Sequence, residues 1–290
     1  MADFLMFNLF REVKIRPILA GFLSYLPGLF AWWDGRRPMG NTSSAYYSRG
    51  IWRFHLANYK LASGAAKPEN VVELGPGATL GTCVAALCDG VNRAIGLDAC
   101  PYASSSAENL RILKELTDDE TPVADRSLIS KAITNVGSGK SGPLLDYVAP
   151  WNELNILPEN SVDLIFSHSV MEHVDSPVET YIACFHWLKP GGIMSHKIDH
   201  SSHAITRTWN GHYGIPAAIW RVIFGKRPYL LNRMPPSLHQ KAIVAAGFEI
   251  LDISYVLAGE ADNNTRCKSI AGQKDFRVKT SAFVCKKPVA

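Results

Sequence analysis

The residues best suited to chemistry in this chain are histidines and an acid near two apolar segments. His168 lies two residues after the apolar residues 164–166, while His196, Asp199 and His200 follow the apolar pair 193–194. Imidazole titrates close to neutral pH, so it can take a proton from a hydroxyl or an amine. The pattern predicts His168 as a base or an acceptor-positioning residue. It also predicts a second base, His196 or His200, oriented by Asp199.

Two other interpretations of these histidines stay open. Each could be packed in the core of the protein. His196, Asp199, His200 and His203 also include an i, i+4 pair that could supply metal ligands if the segment were helical. Because the segment has the pattern of a strand that enters a loop, no metal site is predicted.

A glycine-rich segment predicts the element that would hold a nucleotide. Residues 71–72 end an apolar run, Glu73 follows, and three glycines precede an apolar helical pattern at 84–87. Glycine lets the backbone approach a ligand because no Cβ intervenes. Asp98 ends the next apolar run, about 20 residues further on, where such folds place the acid that binds ribose hydroxyls.

The spacing of the glycines indicates which nucleotide would bind. Gly75, Gly77 and Gly81 leave one residue too many for the dinucleotide pattern G-x-G-x-x-G. Glu73 would also repel a pyrophosphate, whereas it suits a cationic ligand without phosphate. S-adenosylmethionine carries an amino group and a sulfonium and has no phosphate, so these residues favour it over NAD.

Three motifs together carry a resemblance to a known family. The E-L-G-P-G of residues 73–77 resembles motif I of class I S-adenosylmethionine-dependent methyltransferases. The S-x-x-x-x-E-H-V of residues 167–174 and the L-K-P-G-G of residues 188–192 resemble their fourth-strand exit and the turn into their fifth strand. The resemblance covers residues 45–255. It is closer still to a group of bacterial methyltransferases that share the W-N-G-H found here at residues 209–212.

The resemblance implies a fold, a cofactor and a set of binding residues. The fold is Rossmann-like, with a seven-stranded, mostly parallel sheet and helices on both faces. In place of the acid that often binds adenine after the third strand, this chain has Trp151 and Asn152. Trp151 could stack on adenine and Asn152 could bond to it, and Tyr47 and Arg53 could reach the donor carboxylate from the N-terminal helix. The predicted cofactor-binding residues are Tyr47, Arg53, Glu73, Gly75, Pro76, Gly77, Gly81, Asp98, Trp151, Asn152 and Ser167.

The chain divides into an N-terminal helical extension, residues 1–62, and a methyltransferase domain, residues 63–290. Within that domain we expect an irregular insertion at 117–143 and a cap over the active site at 200–235. Strands are predicted at 70–74, 93–98, 144–148, 162–167, 192–199, from 248 and at 280–285. Helices are predicted at 45–62, 103–116, 176–188 and 237–246.

Composition narrows the class of protein. Hydrophobic residues make up 47% of the chain and charged residues 19%, which is typical of a globular protein. The excess of 30 basic over 26 acidic residues is too small to indicate nucleic acid as the main partner. The six cysteines include no C-x-x-C pair, so we expect reduced thiols and a cytoplasmic location.

The uncharged run 18–33 has two interpretations. A membrane-spanning helix needs about 20 apolar residues, and this run is shorter and is broken by Gly21, Pro27 and Gly28. The run could form helices packed on the catalytic core. Alternatively, it could make a peripheral membrane contact, which would suggest a lipid-linked acceptor.

These observations predict an S-adenosylmethionine-dependent methyltransferase. Its acceptor is expected to be a small molecule or glycan-like, methylated at oxygen. Two alternatives stay open: an NAD(P)-dependent Rossmann oxidoreductase, and a non-catalytic nucleotide-binding module. The acceptor itself and the oligomeric state do not follow from the sequence.

Overall fold

The structure is a computed structural model of the 290-residue chain. It describes residues 12–26, 28, 44–103, 107–118, 126–151, 153–227, 230–259 and 274–289. The structural statements below concern these residues. Asn152, one of the predicted cofactor-binding residues, lies outside them.

Seven strands form a single mixed sheet, in the order β3-β2-β1-β4-β5-β7-β6. The first five strands pair in parallel, and β7 runs antiparallel to both of its neighbours. The predicted Rossmann-like, mostly parallel seven-stranded sheet is therefore confirmed. The strands are β1 (Asn70–Leu74), β2 (Arg93–Leu97), β3 (Leu145–Val148), β4 (Val162–His168), β5 (Leu188–Asp199), β6 (Glu249–Leu257) and β7 (Val278–Lys286).

Helices cover both faces of this sheet. Short 3-10 turns at Leu154–Ile156, Gly211–Gly214 and Lys274–Arg277 join some of the elements. The described α-helices are α1 (Ile15–Leu23), α2 (Ala45–Ser63), α3 (Gly81–Cys88), α4 (Ala107–Asp118), α5 (Arg126–Gly137), α6 (Pro177–Trp187), α7 (Ala217–Phe224) and α8 (Pro236–Ala245).

The central strands are apolar because both of their faces are buried. In β1, Val71 packs into the core on the side of α2 to α5, and Val72 packs into the core on the side of α6 and α8. Successive side chains of a strand point to opposite faces, so a strand covered on both sides shows no polar alternation. This explains the continuous apolar runs from which the strands were predicted.

Helix α2 belongs to the layer that covers the sheet. The Ser44 side chain accepts a hydrogen bond from the Tyr47 amide at its start, and Gly64 ends it with φ +73°. Trp52 is fully buried, lies 6.0 Å from the ring of Phe166, and donates its indole N–H to the Asp89 carboxylate at 2.7 Å. The helix predicted at 45–62 is thus present and shares its core with the catalytic sheet.

Two sequence predictions about secondary structure need correction. The insertion at 117–143 is not wholly irregular, because α5 lies within it. Ile129, Ala132 and Ile133 recur at helical spacing and are buried against the sheet core. Strand β5 begins at Leu188 rather than at residue 192, with a bulge in its pairing to β4 and Gly191 at φ +82°.

The N-terminal segment packs on the cap. Val13 pairs with Thr206, and the Ser24 hydroxyl donates to the Gly21 carbonyl at 2.5 Å and accepts from the Lys226 amide at 2.7 Å. Gly21 lies against the α7 backbone so closely that a Cβ there would overlap a carbonyl oxygen of that helix. The sequence left open whether residues 18–33 pack on the catalytic core or contact a membrane. Their described part, 18–26, packs on the predicted cap, through residues 222–226.

The outer side of α1 and of the turn after it is apolar and exposed. Among the described residues, no helix is both long and apolar enough to cross a membrane. Peripheral membrane contact remains a prediction. The exposed apolar residues here are Ile15, Leu19, Phe22, Tyr25 and Leu26.

Candidate active site

A cavity of about 960 Å³ opens beyond the carboxyl ends of the parallel strands. It lies between the ends of β1 and β4, where the order of the strands in the sheet reverses. This switch point is where open α/β sheets bind ligands. Residues that follow β1, β2, β3 and β4 line it together with the start of α6. The residues used below are Gly75, Gly77, Asp98, Tyr102, Trp151, Glu153, Leu154, Ser169, Val170, His173, Glu179 and Thr180.

The turn after β1 brings the backbone to the cavity as predicted. Gly75 and Gly77 both have positive φ, +66° and +71°. The Gly75 amide donates to the Leu97 carbonyl at 2.7 Å, which ties the turn to the end of β2. A Cβ at Gly75 would lie 2.6 Å from the Val170 side chain, so a larger residue does not fit. The two glycines thus form a surface that a ligand can approach closely.

Asp98 projects from the end of β2 into the same cavity. Its carboxylate accepts hydrogen bonds from the backbone amides of Gly77 at 3.2 Å and Ala99 at 2.8 Å, and the residue is only 6% exposed. Burial raises the pKa of this carboxyl, and the hydrogen bonds from the backbone amides oppose that shift. The arrangement fixes the Asp98 carboxylate, a hydrogen-bond acceptor, beside the glycine turn, where it could bind the two hydroxyls of a ribose.

Three predicted residues of the turn lie behind it rather than on the cavity wall. The Glu73 carboxylate accepts a hydrogen bond from the Cys83 thiol at 3.3 Å, and burial raises the pKa of Glu73 to about 7. Pro76 packs against the backbone of β2, and Gly81 allows α3 to approach α2 closely. These residues support the turn from behind, and none of the three lines the cavity.

Trp151 follows β3 and lines the cavity as predicted. Its amide donates to the Asp98 carbonyl at 3.1 Å, and its ring packs edge-on against Trp187 at 5.5 Å between centroids. Glu153 and Leu154 continue this wall. An adenine-sized ring would find an aromatic surface here.

Tyr47 and Arg53, predicted to reach the donor carboxylate from α2, are not brought to the cavity. Both side chains are exposed on that helix, and neither is on the cavity wall. Tyr47 faces the buried Glu73 from the other side of the glycine turn. Their predicted contact with the donor has no support in this geometry.

Ser167 and His196 bond to each other inside the core. The Ser167 hydroxyl lies 2.7 Å from Nδ1 of His196, and both residues are fully buried. Burial lowers the pKa of His196 to about 3. Because these side chains point into the layer between sheet and helices, neither meets the cavity, and the predicted roles of His196 as base and Ser167 as donor contact are not supported.

His168 points to the α2 side of the sheet. Its ring packs edge-on against Phe54 at 6.0 Å and against His55 at 5.6 Å. Burial, together with the nearby charge of Lys197, lowers the pKa of His168 to about 4. The side chain is not part of the cavity wall, so the geometry does not place the predicted base beside an acceptor.

The predicted pairing of His196 with Asp199 is not formed. Asp199 instead bonds to His203 at 3.2 Å and accepts from the Ser201 amide at 2.8 Å. Burial would raise the pKa of Asp199, but these hydrogen bonds outweigh it and hold the value at about 2. His200 turns inward, with Nε2 2.8 Å from the Ser281 hydroxyl, and burial lowers its pKa to about 4.

The imidazole that does line the cavity is His173, in the turn after β4. It neighbours Ser169, which has a left-handed backbone with φ +57°, and Val170. The E-H-V motif was visible in the sequence and marked this turn. The sequence instead predicted His168, because it lies at the end of β4. The direction that the chain takes after β4 depends on tertiary packing, so the position of His173 could not be predicted.

Glu172, beside His173, is buried without a side-chain hydrogen-bond partner among the described residues. Burial raises its pKa well above the ordinary range, and the nearby backbone amides of Glu172 and Asp199 oppose that shift. Its ligand atom and those of His173 and His203 lie within 4.8 Å of one another. This cluster adjoins the cavity through His173.

Residues 72–195 match the family model described as a methyltransferase domain. The matched range runs from β1 to β5 and includes the glycine turn, Asp98 and the turn with His173. Together with the switch-point cavity, it defines the protein as a methyltransferase.

The family can be stated more closely. Residues 72–195 form a methyltransferase domain of the class I, S-adenosylmethionine-dependent type, and S-adenosylmethionine is the methyl donor of that domain. The cavity fits that donor, because Gly75 and Gly77 line it and Asp98 offers a fixed carboxylate nearby. The oxidoreductase and the non-catalytic module are therefore set aside.

Solved structures share the fold at low sequence identity. Geranyl diphosphate C-methyltransferase from Streptomyces coelicolor A3(2) is 14% identical, with a TM-score of 0.51 over 83% of this chain and 80% of that one. An S-adenosylmethionine-dependent methyltransferase from Mesorhizobium loti is 16% identical, with a TM-score of 0.45 over 85% and 100%. A putative methyltransferase from Haloferax volcanii, in complex with the activator Trm112, is 18% identical, with a TM-score of 0.44 over 84% and 94%. No curated protein matches the sequence significantly.

Proposed function

We propose that this enzyme methylates an oxygen of a small-molecule or glycan-like acceptor bound in the same cavity as the donor. The observation that carries the proposal is the wall beyond the glycine turn, where Ser169, His173, Glu179 and Thr180 supply hydroxyl, imidazole and carboxylate groups. Such groups suit the hydroxyls of a polyol or a sugar.

The size of the cavity supports two ligands. At about 960 Å³ it lies near the upper end of the roughly 300–1,000 Å³ range of small-molecule sites. A donor held at Gly75, Gly77 and Asp98 would leave the β4 and α6 side of the cavity for an acceptor. A macromolecular substrate would have to insert a single chemical group into this cavity.

The residues of the chain would act mainly by orientation. When bound, S-adenosylmethionine supplies an electrophilic methyl group on a positively charged sulfur. Gly75 and Gly77 present backbone to the donor, and Asp98 holds its ribose. Fixing two reactants in line accounts for a large part of the acceleration of such a transfer.

An acceptor hydroxyl must also lose its proton, and His173 is placed for that step. It is on the cavity wall, whereas His168, His196 and His200 face the packed interior. A base must lie within hydrogen-bond reach of the proton that it removes. Geometry therefore favours His173 over the three histidines singled out by their strand positions.

The donor site can be tested by calorimetric titration with S-adenosylhomocysteine. Asp98→Asn should weaken binding by about 10- to 100-fold, because hydrogen bonds to a charged group contribute about 1.5–3 kcal/mol. Asp252→Asn, on the exposed edge strand β6, is the matched control and should bind like the wild type.

The acceptor can be tested by screening hydroxylated and amine compounds for formation of S-adenosylhomocysteine. We expect turnover with a hydroxylated compound, a methyl ether as product, and at least a 100-fold loss of kcat in His173→Ala. Turnover with amines alone, or full activity of that variant, would refute the proposal.

A further inference from the structure

A group of potential metal ligands lies beside the cavity. Glu172 and His173 come from the turn after β4, and His203 comes from the loop after β5. One ligand atom of each lies within 4.8 Å of the other two. The two segments meet because β4 and β5 are neighbours in the sheet and end at the same edge.

Glu172 is the observation that separates this group from an ordinary polar cluster. It is 4% exposed, and among the described residues no side chain bonds to either carboxylate oxygen. The backbone amides of Glu172 and Asp199 lie near the carboxylate, and the negative charge of Asp199 acts against it. Burying a carboxylate without partners is costly, so buried acids are usually hydrogen-bonded or bind metals.

His203 is held in the orientation expected of a ligand. Its Nε2 bonds to the Asp199 carboxylate at 3.2 Å, and a metal-bound histidine typically gives its second ring nitrogen to such a partner. The ring lies 4.8 Å from that of His173, between centroids. Its side chain is 30% exposed, so it can shift without disturbing the core.

We propose that Glu172, His173 and His203 bind one divalent cation at the cavity wall. Two imidazoles and one carboxylate form a ligand set used by zinc enzymes with an open coordination position, and imidazole suits first-row transition ions in general. In a tetrahedral site with metal–ligand bonds of about 2.0–2.2 Å, the ligand atoms lie about 3.3–3.6 Å apart. The three atoms, within 4.8 Å of one another here, would therefore draw together by up to about 1.5 Å when the ion binds.

The ion would face the acceptor, because His173 is shared between the cluster and the cavity wall. The acceptor hydroxyl oxygen would take the open position. A bound cation lowers the pKa of a hydroxyl on it, so the O–H bond breaks and the proton passes to water at the exposed side of His203. With the ion bound, His173 is a metal ligand and the ion activates the hydroxyl, so His173 does not also act as the base. This role rests on the proposed methylation of oxygen, whereas binding of the ion does not.

Cobalt titration tests the site directly. Untagged protein, treated with EDTA and dialysed, is titrated with Co²⁺ while its visible absorption is followed, and Zn²⁺ is then added in competition. We expect one Co²⁺ per chain, displaced by Zn²⁺. Glu172→Gln should weaken Co²⁺ binding at least 30-fold. Glu179→Gln, which changes another cavity carboxylate outside the cluster, should bind like the wild type.

A second variant covers the case in which Glu172→Gln fails to fold. His203→Ala changes a partly exposed loop residue and should give the same loss of Co²⁺ binding with an unchanged circular dichroism spectrum. No Co²⁺ binding by the wild type, or unchanged binding in folded Glu172→Gln, would overturn the metal site. The titration with S-adenosylhomocysteine and the acceptor screen report on the proposed function separately.

Discussion

Lowering the pH from 7 to 5 should destabilise this fold through its buried histidines. Burial lowers the pKa of His196 to about 3, of His200 to about 4 and of His212 to about 3. A histidine in the unfolded chain titrates near 6.5. A depressed pKa in the folded state adds stability above pH 6.5, and that stability is lost as the pH falls toward 4.

The magnitude follows from these pKa values. At pH 5, about 1.5 units below the ordinary pKa, each of the three histidines is protonated in the unfolded chain but not in the folded protein. Each therefore lowers the free energy of unfolding by about 2 kcal/mol. Glu73 acts in the opposite direction. Its pKa is raised to about 7 in the folded state, so acidification returns about 2 kcal/mol. From these four groups the net loss is about 4 kcal/mol, a large part of the 5–15 kcal/mol by which folded proteins are usually stable.

Urea unfolding at pH 7, 6 and 5 measures this loss. His200→Gln keeps a side chain that can bond to Ser281 and removes one titrating group, so its loss between pH 7 and 5 should be about 2 kcal/mol smaller. His186→Gln, at a half-buried site, is the control and should behave like the wild type. A wild-type unfolding free energy that does not change with pH would refute the reasoning.

Three further predictions concern packing. Gly75→Ala should cost about 1–3 kcal/mol in urea unfolding and at least tenfold in calorimetric S-adenosylhomocysteine affinity, because of its positive φ and the contact with Val170. Gly21→Leu should free α1 for rapid chymotrypsin cleavage after Phe22, whereas Gly28→Leu, with open space around it, should not. Asn232→Ala removes two hydrogen bonds to the turn after β4 and should lower the unfolding free energy by about 2 kcal/mol. Intact α1 in the Gly21 variant, or an unchanged urea midpoint in either of the other two, would contradict the contacts described.

The donor half of the site could be predicted from sequence because its signals are local. Val71, Gly75 and Asp98 lie within one strand–turn–helix–strand unit, whose geometry is nearly independent of the rest of the chain. The predicted bounds of β1 and α2 agree with the structure to within one residue. Trp151 also lies where the pattern placed it, since it directly follows a parallel strand.

The acceptor half could not be predicted in the same way. A histidine at a strand tip can point to either face of the sheet. Here His196 is packed inside, and His168 is half-buried against Phe54 on the α2 side, away from the cavity. His173 reaches the cavity because the chain turns after β4, and Asn232, from a distant segment, holds that turn. The cluster with His203 likewise depends on the neighbouring positions of β4 and β5.

The contact between α1 and the cap has a consequence for synthesis on the ribosome. Glu12 bonds to Thr208, and Ser24 bonds to Lys226, over separations of 196 and 202 residues. At about 5–20 residues per second, the N-terminal helix waits roughly 10–40 s for its partner to emerge. During that time the small residues that will face the cap are uncovered along with apolar side chains such as Phe22. A helix that is made early is thus among the last to be docked, so its apolar side chains stay exposed on the growing chain until the residues around Thr208 and Lys226 have been synthesised.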